Sequence, residues 1–335
     1  MEFKNIELHN VRELVYNEES GGYKLSRMPS QVAKKMTANV FAVSGCEMRF
    51  VPIDNEITLK IKTADGGPDS KVAVYYGSVQ SGWREEWKRI KGDVTEIIIP
   101  KSPRLDVLKR ISEENNLPFS PEVIRVVLEG GRQYEIFDVI GECRPPEADE
   151  LPKLTYLAYG SSITHGSLAR YVSDSYPFRV SENLGCDNLN LGFAGNAKLE
   201  REVADYIASE CKFDFATLEM GINILGIEPE DFRGRVEYFV STVAKAHPDK
   251  KIFCIDVFYT QDDFLHGEGA KNRARTFRAI LKDVIDKLNL PNTVYIPGLD
   301  VLDSAAWLSE DLVHPTARGV EKLATNITSK IKAYL

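Results

Sequence analysis

At residues 144–153, RPPEADELPK, the hydrophobic pattern of the chain changes period, and this change limits the fold more than any other feature. Before it lie short stretches in which apolar and polar residues alternate between turn residues: FKNIELHNV, ANVFAVSG, CEMRFVPI, EITLKIKT, KVAVYYGSV, VTEIIIP, VIRVVLEG and YEIFDVIGE. A period of two sends successive side chains to opposite faces, so these stretches predict an antiparallel, jelly-roll-like sandwich, interrupted by one helix in PRLDVLKRISEENN. After it, strands alternate with helical segments: LTYLAY with DSYPFRVSENL, DNLNL with EREVADYIASE, FATLEM with PEDFRGRVEYFVSTVAKA, KIFCIDVF with GAKNRARTFRAILKDVIDKL, and TVYIP with TARGVEKLATNITSKIKAYL. Five βα units of this length predict a five-stranded parallel sheet with helices on both faces. The prolines of the intervening decapeptide cannot continue a central strand, so it reads as a linker. We expect two domains, an all-β sandwich over residues 1–147 and an α/β domain over residues 148–335.

A chain of 335 residues fills two cores without covalent staples. Its cysteines, Cys46, Cys143, Cys186, Cys211 and Cys254, are odd in number and never in C-x-x-C spacing. That pattern argues for reduced, mostly buried thiols over a disulfide framework or a zinc site, and no metal or cofactor is expected. A net charge of −8 offers no basic footprint for nucleic acid. The first residues, MEFKNIELHN, lack the apolar core of a signal peptide, and no apolar run approaches a membrane span. The expectation is a cytoplasmic protein with no membrane partner, acting on a neutral or weakly charged molecule. A homo-oligomer is compatible with the sequence.

Four short blocks carry the chemistry. Gly160–Gly166, GSSITHG, follows the first parallel strand, where a serine sits beside exposed backbone N–H groups able to hold an oxyanion. Alone it is equally a Gly-Ser turn that caps a helix. It differs from a G-x-S-x-G elbow, because Thr164 stands where the second glycine would be. Asp311–Pro315, DLVHP, precedes the last helix, and its i, i+3 spacing lets the Asp311 carboxylate orient the His314 ring. His9 lies in the sandwich, His247 at a helix end and His266 in the loop after the fourth strand, and we read His314 as the histidine with a carboxylate at orienting distance. Asn190–Asn196, NLGFAGN, offers the Gly195 N–H, and Glu219–Asn223, EMGIN, offers the Asn223 amide; singly, each is an ordinary turn residue. All four blocks fall at carboxyl ends of strands or just before the final helix, and so on one rim.

These blocks, in this order, resemble the signature of the SGNH or GDSL-like hydrolase superfamily, and the resemblance spans residues 154–335. It implies a flavodoxin-like α/β/α domain in which Ser162 is the nucleophile and Asp311 and His314 complete the triad. The Ser162 N–H, Gly195 and Asn223 would form the oxyanion hole. Two positions depart from the pattern: the usual Asp before the nucleophile is Ser161, and Ile224 follows Asn223 where Asp is common. Members with an N-terminal β-sandwich resemble the chain further, and many act on acylated carbohydrates. The resemblance therefore implies a serine esterase for short, acetyl-type esters on a small molecule or oligosaccharide. An acyltransferase with the same triad, or a carbohydrate-binding protein on a retired scaffold, is the alternative. Tyr75, Tyr76, Trp83 and Trp87 offer a sugar-stacking edge, with core packing as the competing reading. The sandwich is expected to influence the choice of sugar without taking part in bond cleavage.

Overall fold

In the computed structural model, which describes residues 1–82, 88–169, 172–264 and 272–335, the alternating stretches build two antiparallel sheets around one core. One is centred on Glu47–Pro52, Ile124–Val127 and Ser70–Tyr76, the other on Glu56–Thr63 between Thr95–Pro100 and Tyr134–Ile140. In Glu56–Thr63 the side chains of Ile57, Leu59 and Ile61 are fully buried while the residues between them face outward. They meet Met48, Phe50, Val74 and Val126 of the other sheet, and removal of this apolar area from water joins the layers. The expected helix is Leu105–Asn115.

ANVFAVSG is not a strand. Val40 and Val43 are buried, but the backbone turns there: Asn39 Oδ1 accepts the Phe41 N–H (3.1 Å), Val40 O accepts the Arg27 N–H (3.1 Å), and the Val43 N–H donates to Arg132 O (2.9 Å). A local side-chain acceptor and two distant backbone partners satisfy groups that a ladder would otherwise pair, so alternation alone overstates strand there. The hairpin of Glu13–Asn17 and Gly22–Ser26 adds two strands that the alternation did not single out.

The five parallel strands are Thr155–Gly160, Asp187–Gly192, Phe215–Glu219, Lys251–Ile255 and Thr293–Ile296, in the spatial order second, first, third, fourth, fifth. This is the flavodoxin-like order. Leu157, Tyr159, Ala216, Leu218 and Ile252 pack against the helices Arg201–Glu210, Pro229–Ala246 and Arg273–Leu288. On the other face Tyr156, Ala158, Phe215, Phe253 and Ile255 pack against Tyr176–Leu184 and Ala317–Lys332. Burial on both faces explains why the first, third and fourth of these strands read as apolar runs. Strand order reverses beside the first strand, which opens a crevice at the carboxyl ends of the first and third.

Asp187–Gly192 is the outer strand nearest the sandwich, and side chains of the sandwich take three of its carbonyls. His9 Nε2 donates to Asn188 O (2.7 Å), Asn10 Nδ2 to Asn190 O (3.0 Å), and Arg27 Nη1 to Asn190 O (3.2 Å) and Gly192 O (2.8 Å). An open sheet edge is thereby closed without another strand. No helix among the described residues is long and apolar enough to cross a membrane.

Candidate active site

Gly160 ends the first strand, and Ser162–His165 forms a single helical turn directly after it. Ser161, not Ser162, is the cap: its Oγ accepts the Ile163 N–H at 3.2 Å. The helix-capping role is thus filled by the neighbour, and the Ser162 hydroxyl is left for another partner. A Cβ on Gly160 would collide with Thr164 Oγ1 and Glu219 Oε2, so only glycine lets the strand turn this tightly.

The partner is His314. Ser162 Oγ lies 2.7 Å from His314 Nε2, and His314 Nδ1 lies 2.6 Å from Asp311 Oδ2. With the proton on Nδ1, the ring donates to the carboxylate and Nε2 accepts from the serine. The loop before Ala317–Lys332 is shaped by the same carboxylate, because Asp311 Oδ1 accepts the N–H groups of Val313 (2.9 Å) and His314 (2.9 Å) and the Ser309 hydroxyl (2.7 Å). Burial works against the charge, but these hydrogen bonds outweigh it and hold the Asp311 carboxyl well below the usual carboxylate range. Ser162 is 8% exposed, whereas the His314 and Asp311 side chains are 25% and 45% exposed, so the array opens to solvent from the histidine side. A hydroxyl on an imidazole that is oriented by an ionised carboxylate can deliver an alkoxide-like oxygen to a carbonyl carbon.

The other expected residues converge on the same loops. Gly195 has φ 66° and open space where a Cβ would project, so backbone conformation and not crowding favours glycine there. The Asn223 amide nitrogen donates to Asn196 O, next to Gly195 in the chain. This bond ties the loop after the third strand to the loop after the second and fixes the amide plane; among the described residues no second acceptor engages that nitrogen. Ile224, at the position where Asp is common, is buried in the core.

Sequence reasoning did not single out Glu219, Tyr176 and Arg27, three residues that touch the turn bearing Ser162. Glu219 ends the third strand across the crevice, fully buried; its Oε2 accepts the Ser161 N–H (2.6 Å) and the Thr164 hydroxyl (3.1 Å), and Thr164 Oγ1 meets the Tyr176 hydroxyl at 2.7 Å. Among the described residues its Oε1 has no hydrogen-bond partner, and burial pushes its carboxyl up from the ordinary value. Glu219 therefore braces the loop whose customary Asp is replaced by Ser161, and its signal stood in the EMGIN block as a carboxylate at a strand's carboxyl end. Arg27 backs the same turn from behind, against the ring of its last residue, His165.

Three expectations need correction or fall elsewhere. His314 is not alone in having a nearby carboxylate, because His9 Nε2 lies 3.5 Å from Asp187 Oδ1; contacts made across the tertiary fold are invisible to i, i+3 reasoning. Tyr75 and Tyr76 are core residues: Tyr75 packs on Phe178 at 6.2 Å and the Tyr76 hydroxyl donates to Pro100 O at 3.0 Å. Trp83 and Trp87 lie outside the described residues, as does His266. Among the described residues no cluster of His, Cys, Asp and Glu is arranged to hold a metal.

The GDSL-like lipase/acylhydrolase family model matches residues 154–332. No curated protein matches the chain by sequence. Among solved structures, the salicylyl-acyltransferase SsfX3 from a tetracycline biosynthetic pathway is similar at TM-score 0.79 and 18% identity, over 98% of this chain and 94% of that one. A family two carbohydrate esterase from Cellvibrio japonicus is similar at TM-score 0.66 and 11% identity, over 99% and 95% of the respective chains. Another, from Clostridium thermocellum in complex with cellohexaose, reaches TM-score 0.61 at 13% identity, over 98% of each chain. At such identities the likeness is one of fold, and it embraces both the antiparallel sheets and the parallel one.

Proposed function

The chain belongs to the GDSL-like lipase/acylhydrolase family and is an ester-hydrolysing enzyme, and from that premise we propose that it removes short acyl groups, acetyl foremost, from carbohydrate hydroxyls through an acyl-enzyme on Ser162. The observation that carries the proposal is the unbroken path from Ser162 Oγ to His314 (2.7 Å) and on to Asp311 (2.6 Å), at the switch point of the sheet.

Ser162 Oγ attacks the ester carbonyl carbon as its proton passes to His314 Nε2, and Asp311 stabilises the imidazolium so formed. The oxyanion is taken up by the N–H groups of Ser162 and Gly195 and by the Asn223 amide. The C–O bond to the sugar breaks, and the leaving oxygen takes the proton from His314. Water then repeats the sequence on the acyl-enzyme, releasing the acid and restoring the serine. The carbohydrate esterases that share this architecture over its full length support the substrate class.

A second reading shares every step but the last: a sugar or other alcohol replaces water as the acyl acceptor. The likeness to an acyltransferase favours it. Incubation with an acetylated xylo-oligosaccharide and with p-nitrophenyl acetate, each with and without an acceptor alcohol, separates the two. Free acetate as the main product in both media is the expected result. Acyl transfer dominating over hydrolysis would assign the second reading, and no acyl release from any ester by folded protein would refute both.

A further inference from the structure

We infer that Arg27, a residue of the N-terminal sandwich, is a positioning residue for acyl transfer: it locks the end of Asp187–Gly192 against the back of the Ser162 turn, and so sets where Gly195 and Ser162 stand. The inference rests on the serine esterase reading and adds to it a residue from outside the segment that the acylhydrolase family covers.

Arg27 is 1% exposed. Its Nε donates to Ala42 O of its own domain (2.9 Å), while Nη1 crosses to Gly192 O (2.8 Å) and Asn190 O (3.2 Å). Its Cζ lies over the Phe193 ring, 4.3 Å from the centroid, and Nη2 packs 3.4 Å from His165 Nδ1. These contacts reach both halves of the proposed centre. Gly192 and Phe193 lead into the loop bearing Gly195, and His165 closes the helical turn that Ser162 opens.

The two halves are already in backbone contact, and the contact leaves no slack. A Cβ on Gly192 would collide with the His165 N and the Thr164 carbonyl carbon. Phe193 N–H donates to Gly160 O (2.9 Å), Asn190 Nδ2 to Thr164 O (2.8 Å), and His165 Nδ1 to Gly192 O (3.1 Å). The sandwich tightens the joint once more through Ser44, whose hydroxyl donates to His165 O at 2.6 Å. Gly192 O thus receives the Arg27 fork and the His165 ring together, and a shift of that carbonyl would move both the strand end and the nucleophile turn.

Edge closure alone does not call for a cation here. Asn10, uncharged, donates to the same Asn190 O that Arg27 reaches, so a neutral side chain suffices for that carbonyl. A buried guanidinium is expensive, and among the described residues no carboxylate pairs with Arg27; burial pulls its pKa down to about 10. Burial, with Arg27 beside it, also keeps the His165 ring neutral by pushing its pKa down to about 3. What the fork supplies and an amide does not is a planar set of donors that reaches three carbonyls and stacks on an aromatic ring in one rigid pose. Misplacement of a reacting group by about 1 Å can slow a reaction about 10²-fold, even when the cause lies away from the chemistry.

The test uses the full chain with p-nitrophenyl acetate and a fluorophosphonate, comparing wild type, Arg27→Met, Arg27→Lys and Ser162→Ala, with folding checked by far-UV circular dichroism. Arg27→Met is expected to lower kcat about 10²-fold with KM kept within about twofold, and to slow labelling of Ser162 in the same proportion. Arg27→Lys, which restores the charge but not the fork, is expected to fall between. Should Arg27→Met not fold, a folded Arg27→Lys decides: at least about fivefold loss in kcat at unchanged KM supports the inference. A folded Arg27→Met, or in its absence Arg27→Lys, with wild-type kcat, or with its whole loss in KM, overturns the inference while the esterase reading stands. A wild-type protein that neither turns over the ester nor labels overturns that reading and this inference with it.

Discussion

Replacing Arg49 with methionine is expected to loosen the joint between the sandwich and the parallel sheet. Arg49 is 1% exposed; its Nε donates to Glu47 Oε2 (2.8 Å), and Nη1 and Nη2 grip the two Asp187 oxygens (2.7 Å each). Methionine fills much of the same volume but removes the charge from between two buried carboxylates. Glu47 would keep Arg125 at 2.6–2.7 Å, whereas Asp187 would keep, among the described residues, the Asn188 N–H at 2.9 Å and His9 at 3.5 Å. Deleting one partner of a buried ion pair costs about 3–5 kcal/mol, a large share of a total stability of about 5–15 kcal/mol. The pH dependence has a definite sign. Burial opposes ionisation of Glu47, yet Arg125 and Arg49 outweigh it and draw its pKa down to about 2; Asp187 is likewise held well below the usual carboxylate range, with Arg49 the foremost attraction against burial. Carboxyls depressed by folding contribute stability that is present above their unfolded values and lost as pH falls through the folded ones. The gap between wild type and Arg49→Met should therefore be widest near neutrality and narrow from about pH 4.5 towards pH 2. Urea unfolding of wild type, Arg49→Met, Asp187→Asn and the double variant, followed by circular dichroism, measures both the loss and the coupling. A loss below about 1 kcal/mol at pH 7, or a gap that does not change with pH, would mean that apolar burial and not this fork holds the joint.

Asn223→Ala is expected to lower kcat about 10²-fold with little change in KM if its amide acts as the proposed oxyanion donor, because that charge exists only in the transition state; a change confined to KM, seen in steady-state kinetics, would make it a ground-state contact instead. Asp311→Asn removes the charge that accompanies the imidazolium and should cut kcat by at least about 10²-fold; a variant with wild-type rate and pH profile would leave the Asp311–His314 pair as loop architecture only. Glu219→Gln keeps an acceptor for the Ser161 N–H and abolishes ionisation. Because folding raises the Glu219 pKa, its contribution is fully present below the unfolded value near 4.5 and lost as pH rises through the folded one. Relative to wild type, the Gln variant should gain in Tm between pH 4.5 and pH 8, and a Tm difference that is the same at both would refute a buried carboxylate at that position.

Much of this was legible in the sequence because periodicity records burial. The first, third and fourth parallel strands announced themselves as apolar runs since both of their faces are covered, and Ile57, Leu59 and Ile61 did so by alternation since one face is. The blocks around Ser162 and His314 were legible because both sit in short local turns. Asp311 reaches Val313, His314 and Ser309 within three residues, a distance that sequence spacing can express. What escaped was whatever depends on contacts between distant segments. Arg27 lies 165 residues from Gly192, and Ser44 lies 121 from His165, so no spacing rule links them. The position of the blocks along the chain put every expected catalytic residue after the linker and gave no sign that Arg27 and Ser44 of the sandwich line the back of the Ser162 turn. ANVFAVSG failed for a related reason: burial of Val40 and Val43 mimics a strand, but Arg27 and Arg132 supply their backbone partners.

The claim that Ser162 carries the acyl group is tested most directly by mixing the protein with p-nitrophenyl acetate, quenching in acid within the first turnover and locating the acetyl group by peptide mass spectrometry. One acetyl group on the peptide that contains Ser162 is the expected result, formed in wild type, absent in Ser162→Ala and formed only slowly in His314→Ala. An acetyl group that forms as fast on another residue, or undiminished turnover by a folded Ser162→Ala protein, would contradict it.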